Sequence, residues 1–346
     1  MEENPVVSPV VSPVVSPSGL SFILLLLNMT RYLINRIITS IPTLIAISMV
    51  VFLILALAPG NPIGEFANNP SITPEVRENI KRSLGLDQPI PIRYLKWIWA
   101  FLQGDLGYSF TSRSPVLDLI FQRLPTTLWI MGAAYGLAVL IAFPFGIISA
   151  LKRYSVLDQI ITTVSFIGFS LPTFFTGLLF IIIFSVQLKW LPFIYNSTLE
   201  VTNLQTFWQQ IQQSIMPICV LGFYQAAILM RFIRSSFLEQ LNQNYVRTAY
   251  AKGLPKLNVI NGHILRNALI PVVTLIALQI PGLFAGSLVT EQVFRIPGIG
   301  ALLIDSIFRS DTPVIMGITM VYAILVVIFN LFADILYGLL DPRVQY

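Results

Sequence analysis

One short stretch places its side chains in a pattern with a definite chemistry. Tyr245, Thr248, Ala249 and Lys252 stand at i, i+3, i+4 and i+7, so a helix carries them on one face, with Asn242 or Asn244 as its N-cap. Gly253 then offers a left-handed stop, Leu254 the apolar contact that accompanies such stops, and Pro255 the start of the next element. Small Thr248 and Ala249 let a second surface approach closely, while Arg247 and Lys252 supply cations for acidic groups on it. That chemistry is docking; an ordinary surface helix between two larger elements fits the same residues.

Covalent chemistry is poorly served elsewhere. The chain has one histidine, His263, and one cysteine, Cys219, which rules out an internal disulfide and a multi-cysteine metal site. It contains no HExxH or GxSxG pattern and no paired acidic cluster inside an apolar stretch. A GxxxxGK(S/T) phosphate loop is also missing, so nucleotide energy has to enter through a partner.

The elements that must position these residues are long and apolar. Of 346 residues 55% are hydrophobic and 11% charged, against about 25% charged in a soluble domain, and mean hydropathy is +0.77. Apolar windows long enough for a bilayer, which needs about 20 helical residues, fall at about 37–58, 126–150, 160–188, 214–233, 268–290 and 313–338, with Arg231 and Asp334 near the ends of the fourth and sixth. The fourth starts late because residues 201–213 are rich in Asn and Gln. The expectation is an all-α polytopic membrane protein with six transmembrane helices; continuous apolar runs without alternation exclude a closed barrel. Gly132, Gly136, Pro144, Gly146, Pro172, Gly177, Pro281, Gly282 and Gly286 are expected to allow close helix approach and kinks.

The net charge of +5 reads as orientation in lipid, with no nucleic-acid partner, because the basic residues sit between apolar blocks. Placing Arg31, Arg36, Lys152, Arg153, Arg231, Arg234, Arg247, Lys252, Lys256, Arg266 and Arg343 on one side makes both termini cytoplasmic. The long connection 59–124 then lies outside, with Tyr94, Trp97, Trp99, Phe101 and Tyr108 expected at the membrane interface. Residues 1–28, with their Pro-Val-Val-Ser repeat, read as a disordered low-complexity extension, and Met29 as the expected start. Asp334, the one charge beside a late apolar run, is expected to pair with a neighbouring helix, so ion-coupled transport is poorly supported.

The stretch Tyr245-Val-Arg-Thr-Ala-Tyr-Ala-Lys-Gly-Leu254, with His263-Ile-Leu-Arg-Asn-Ala-Leu-Ile-Pro271 after it, resembles the EAA coupling loop of ABC-importer permeases in its peptide-transporter version, here spanning 234–267. Leu57-Ala-Pro-Gly-Asn-Pro62, Leu84-Gly-Leu-Asp-Gln-Pro89, Gly104-Asp-Leu-Gly-Tyr-Ser109, Arg123-Leu-Pro-Thr-Thr-Leu128, Phe294-Arg-Ile-Pro-Gly-Ile-Gly300 and Leu340-Asp-Pro-Arg343 extend the likeness over residues 30–344. Asn61 departs from the Asp that many relatives carry there.

The resemblance implies the B-type permease of a dipeptide, oligopeptide or nickel importer, with the type I ABC importer (MetI-like) fold in residues 29–346, in a prokaryotic inner membrane. It also implies a homologous second permease, two ATP-binding subunits and a solute-binding protein. ATP and magnesium would be bound by those partners, with no cofactor and no catalysis in this chain. Tyr245, Arg247, Thr248, Ala249, Lys252 and Gly253 would form the ATPase-coupling helix, with His263, Arg266 and Asn267 supporting its return. The cargo is expected to be a peptide, with nickel or another non-peptide solute as the alternative.

Overall fold

Proline and glycine geometry decides where the long apolar stretches run straight and where they break. The computed structural model describes residues 19–57, 75, 78, 82, 87–285 and 287–340, with side chains from residue 34 except at 285 and 336–340. Residues 1–18, the break at Pro59-Gly60-Asn61-Pro62, residues 84–86, Gly286 and the terminal Asp341-Pro342-Arg343 lie outside them.

Helix α1 (Gly19–Leu57) begins ahead of Met29, so residues 19–28, expected in the extended tail, are helical. Helix α2 (Ile90–Leu102) lies against α1 through its aromatic face: Tyr94 meets Phe52 edge-on at 5.5 Å and bonds Ser48 at 2.8 Å, and Trp97 stacks on Phe101. Helix α3 (Val116–Leu151) runs unbroken through Pro125 and Pro144.

The expected third span is not one rod. Helix α4 (Val156–Ser170) and helix α5 (Thr173–Phe180), which continues as a π-helix over Ile181–Gln187, meet at 99°. Pro172 has no N–H to give and its ring pushes Leu171 out of the helical region, to φ −82° and ψ 127°. Six spans are reached only when this bent pair counts as one, beside five long apolar helices.

Helix α6 (Leu204–Leu241) starts well before the expected position. Asn203 accepts from Thr206 N–H and Thr206 Oγ1 accepts from Asn203 N–H, a reciprocal cap that fixes the start. Two of the glutamines that argued against a span are bonded within the chain: Gln213 donates to Gln210, which donates to Tyr195; Gln205 and Gln209 are exposed. Helix α7 (Asn244–Ala251) follows, then α8 (Lys256–Val259), a π-helical turn (Ile260–Leu265) and α9 (Arg266–Ala285) as one continuous run. The expected fifth span ends at Ala285, and α10 (Leu288–Val293) is separate. Helices α11 (Ile299–Phe308) and α12 (Thr312–Leu340) complete the chain.

The core lies where α3 crosses α6. A Cβ on Gly146 would stand 2.9 Å from Ile233, and one on Gly222 the same distance from Leu137, so only glycine lets these backbones meet. Gly132, Gly136 and Gly282, expected at close contacts, have nothing within 4 Å, and Gly177 packs under Phe294 and Val293. Asp334 pairs with Arg36 across α12 and α1 at 3.3 Å. Asp311 accepts from Ser109 Oγ and from the N–H groups of Phe110 and Thr111, clamping the connection between α2 and α3 to the start of α12.

Candidate functional site

Helix α7 is short, polar in sequence and held by one face. Val246 and Ala249 are buried in the cluster that also contains Phe237, Val259 and Ile264. Ala249 therefore anchors the helix to its own chain and does not present a small surface to a second molecule, contrary to the expected face. Arg247, Thr248 and Lys252 are exposed, and Tyr245 is half-buried, its hydroxyl bonding Gln240 Oε1 at 2.8 Å.

The N-cap is Gln243, with no side-chain bond; Asn242 instead donates to the Leu238 carbonyl and closes α6. The stop is as expected. Gly253 has φ +77°, its N–H meets Tyr250 O, and Leu254 N–H meets Ala249 O, the paired bonds of a Schellman ending. Behind it, His263 and Arg266 are exposed, Asn267 donates to the His263 carbonyl at 2.8 Å, and Ser236 donates to Ala268 O at 2.7 Å. The two expected groups of residues thus lie on consecutive elements, each continuous with or bonded to a long helix.

Two buried carboxylates were hidden from hydropathy. Asp158, on α4, accepts from Arg234 Nε at 2.8 Å and Nη2 at 2.9 Å, from Tyr154 N–H and from Ser149 Oγ. Its sequence signal was Ser155-x-x-Asp158, where Ser155 accepts from Asp158 N–H at the helix start.

Glu291, on α10, is 2% exposed and sits at the N-terminus of α11. One oxygen accepts from Ala301 N–H at 2.8 Å, the other from Thr127 Oγ1 at 3.1 Å, and Thr127 in turn accepts from Ile299 N–H. A Cβ on Gly298 would lie 2.4 Å from this carboxyl group, which explains the glycine. Burial pushes the Glu291 carboxyl above its ordinary pKa, against the opposing pull of the Ala301 and Thr127 bonds.

Between these two carboxylates, midway along α3 and α6, a cavity of about 790 Å³ opens at the Leu171-Pro172 break. Broken backbone among apolar spans is tolerated where it lines such a space. Tyr135, Gln225 and Gln279 converge in it: Tyr135 OH donates to Gln279 Oε1 at 2.9 Å, and Gln225 Nε2 donates to the same oxygen. None of the described residues lining the cavity is acidic or basic. The arrangement offers shape and hydrogen-bonding groups.

Comparison with known proteins gives two family matches. The family described as binding-protein-dependent transport system inner membrane component matches residues 142–346, and its N-terminal counterpart matches residues 29–131. The chain is 43% identical over 320 residues to the oligopeptide transport system permease protein AppB of Bacillus subtilis, covering 92% of this chain and 100% of the relative. It is 39% identical over 318 residues to the glutathione transport system permease protein GsiC of Escherichia coli O6:H1, covering 92% and 100%. It is 35% identical over 337 residues to the dipeptide transport system permease protein DppB of Escherichia coli K12, covering 92% and 99%.

Proposed function

Since the chain belongs to the family of binding-protein-dependent transport system inner membrane components, we propose that it is the permease subunit of an ATP-driven peptide importer. It is a multi-pass inner-membrane protein, and its family implies ATPase and substrate-binding partners in general. In this reading a homologous second permease completes the pathway, two ATP-binding subunits hold ATP and magnesium, and this chain contributes no catalytic group. Both termini and α7 face the cytoplasm.

The observation that carries the coupling part is the mounting of α7. Its buried face, Val246 and Ala249, belongs to the same apolar cluster as residues of α3, α6 and the run leading into α9, so a shift of α7 disturbs packing shared with those helices. Exposed Arg247, Thr248 and Lys252 meet the ATPase; Tyr245, Ala249 and Gly253 fix the helix; His263, Arg266 and Asn267 stabilise its return. An ATPase that grips α7 differently in its open and closed forms shifts the population between inward-open and outward-open states. Peptide cargo is favoured over nickel because the three relatives are named for oligopeptide, glutathione and dipeptide transport.

The test is ATP-dependent peptide uptake by proteoliposomes containing the whole transporter. The double charge reversal Arg247→Glu with Lys252→Glu leaves the core untouched, so the chain should keep its thermal unfolding temperature while uptake collapses. Full uptake with the reversed charges would remove α7 from the coupling path.

A further inference from the structure

We infer that Gln225 and Gln279 form a contact for the backbone of a passing peptide, reading an amide group and leaving the side chains unread. The inference rests on the peptide reading above and assigns its cavity a ligand chemistry. Gln279 Oε1 is occupied by Tyr135 OH and Gln225 Nε2. Gln279 Nε2 and Gln225 Oε1 have no hydrogen-bond partner among the described residues, and both side chains are only half-buried in the cavity wall. One donor and one acceptor therefore stand side by side, the complement of a peptide C=O and N–H. Exchanging N and O in both amides leaves one free donor and one free acceptor but trades the residue that carries each; the variants below test the arrangement in which Gln225 supplies the acceptor and Gln279 the donor.

The rest of the described lining adds the hydroxyl groups of Ser170, Thr173, Tyr224, Ser287 and Tyr322 and apolar side chains, and no charge. With no acidic or basic side chain among the described lining residues, the terminal ammonium and carboxylate of a peptide find no counter-charge there. Apolar neighbours such as Leu221, Leu278 and Val326 accept side chains of many shapes without choosing among them. The Leu171-Pro172 break keeps this wall open beside the glutamines, so a strand of peptide can reach them.

The experiment uses the assembled transporter in proteoliposomes at saturating peptide-loaded binding protein. The probes are labelled tri-alanine and its analogue methylated at the peptide nitrogens. Wild type should move the methylated analogue about three- to tenfold more slowly, the worth of one net hydrogen bond. Gln225→Met, which lacks the acceptor, should lose this discrimination, and Gln225→Glu, which keeps an acceptor oxygen, should retain it. Preferences of the binding protein are common to wild type and variants and cancel in the comparison of the two ratios.

If Gln225→Met does not co-purify with its partners, Gln279→Met serves: both probes should slow by about three- to tenfold at an unchanged ratio, through loss of the donor to the peptide carbonyl. Equal rates for both probes in wild type, discrimination kept by Gln225→Met, or unchanged uptake in Gln279→Met each overturn the inference and leave the peptide reading standing. No tri-alanine uptake by wild type overturns the peptide reading and this inference together.

Discussion

Arg234 holds the carboxylate of Asp158 through two nitrogens, Nε at 2.8 Å and Nη2 at 2.9 Å, and so pins the start of α4 to the last turns of α6. Bidentate geometry fixes direction as well as distance. Since α7 follows directly on α6, the pair joins the helix that leads into α7 to the element whose far end breaks at the cavity. Under the proposed coupling, a displacement of α7 would reach α4 through this charge pair as well as through side-chain packing.

The pair is asymmetric in exposure, and that orders the cost of breaking it. The Asp158 side chain is 4% exposed and the Arg234 side chain 27%. Arg234→Leu leaves a buried carboxylate without its cation and should cost about 3–5 kcal/mol. Asp158→Leu leaves an arginine that can turn its head to water, so its cost should be smaller. Thermal unfolding of the two purified variants checks the order; equal losses would mean that Arg234 is as confined as its partner.

Much of this was legible in the sequence, for physical reasons that differ by residue. Gly253 was found because a glycine after an amphipathic turn has few other uses, and its φ of +77° follows. Helical spacing put Ala249 on an arc with Thr248 and Lys252, but spacing alone does not say which arc meets the core; Val246, one position off that arc, joins Ala249 in deciding it. Asp158, Glu291 and Asp311 fall just outside the apolar windows. Hydropathy scores a buried, fully bonded carboxylate like a solvated one, so the bridges they make were invisible. Pro172 promised a kink, whereas a break of 99° depends on the neighbouring cavity that accepts the freed backbone.

Glu291 should make stability depend on pH in a defined direction. Burial raises its carboxyl pKa in the folded chain, so the fold favours the protonated form. The associated stability is fully present below the ordinary value of 4.5 and is lost as pH rises through the raised folded value. Glu291→Gln keeps an acceptor for Ala301 N–H and cannot ionise. Unfolding temperatures measured from acid to neutral pH should fall less steeply in this variant than in wild type. Parallel curves would show that Glu291 does not bind a proton on folding.

The three glycines of α3 should separate packing within the chain from packing against something else. At Gly146 an added Cβ would stand 2.9 Å from Ile233 and 3.1 Å from the Met230 carbonyl, and neither atom is the far end of a flexible side chain. Gly146→Val must therefore push α3 and α6 apart along their crossing, at a cost of at least about 1–3 kcal/mol from overpacking. Gly132 and Gly136 stand one turn apart on an exposed face, and an added Cβ at either has nothing within 4 Å, so Gly132→Val or Gly136→Val points its side chain away from the described packing of this chain. Its cost is limited to the modest helix propensity difference, which favours replacement of glycine. Thermal unfolding of the isolated subunit should register the first substitution and not the other two. If Gly132→Val or Gly136→Val leaves the isolated subunit intact yet prevents recovery of the assembled transporter, that face packs against another subunit. Loss of the isolated subunit would instead mean that the α3–α6 crossing is not where the chain holds itself together.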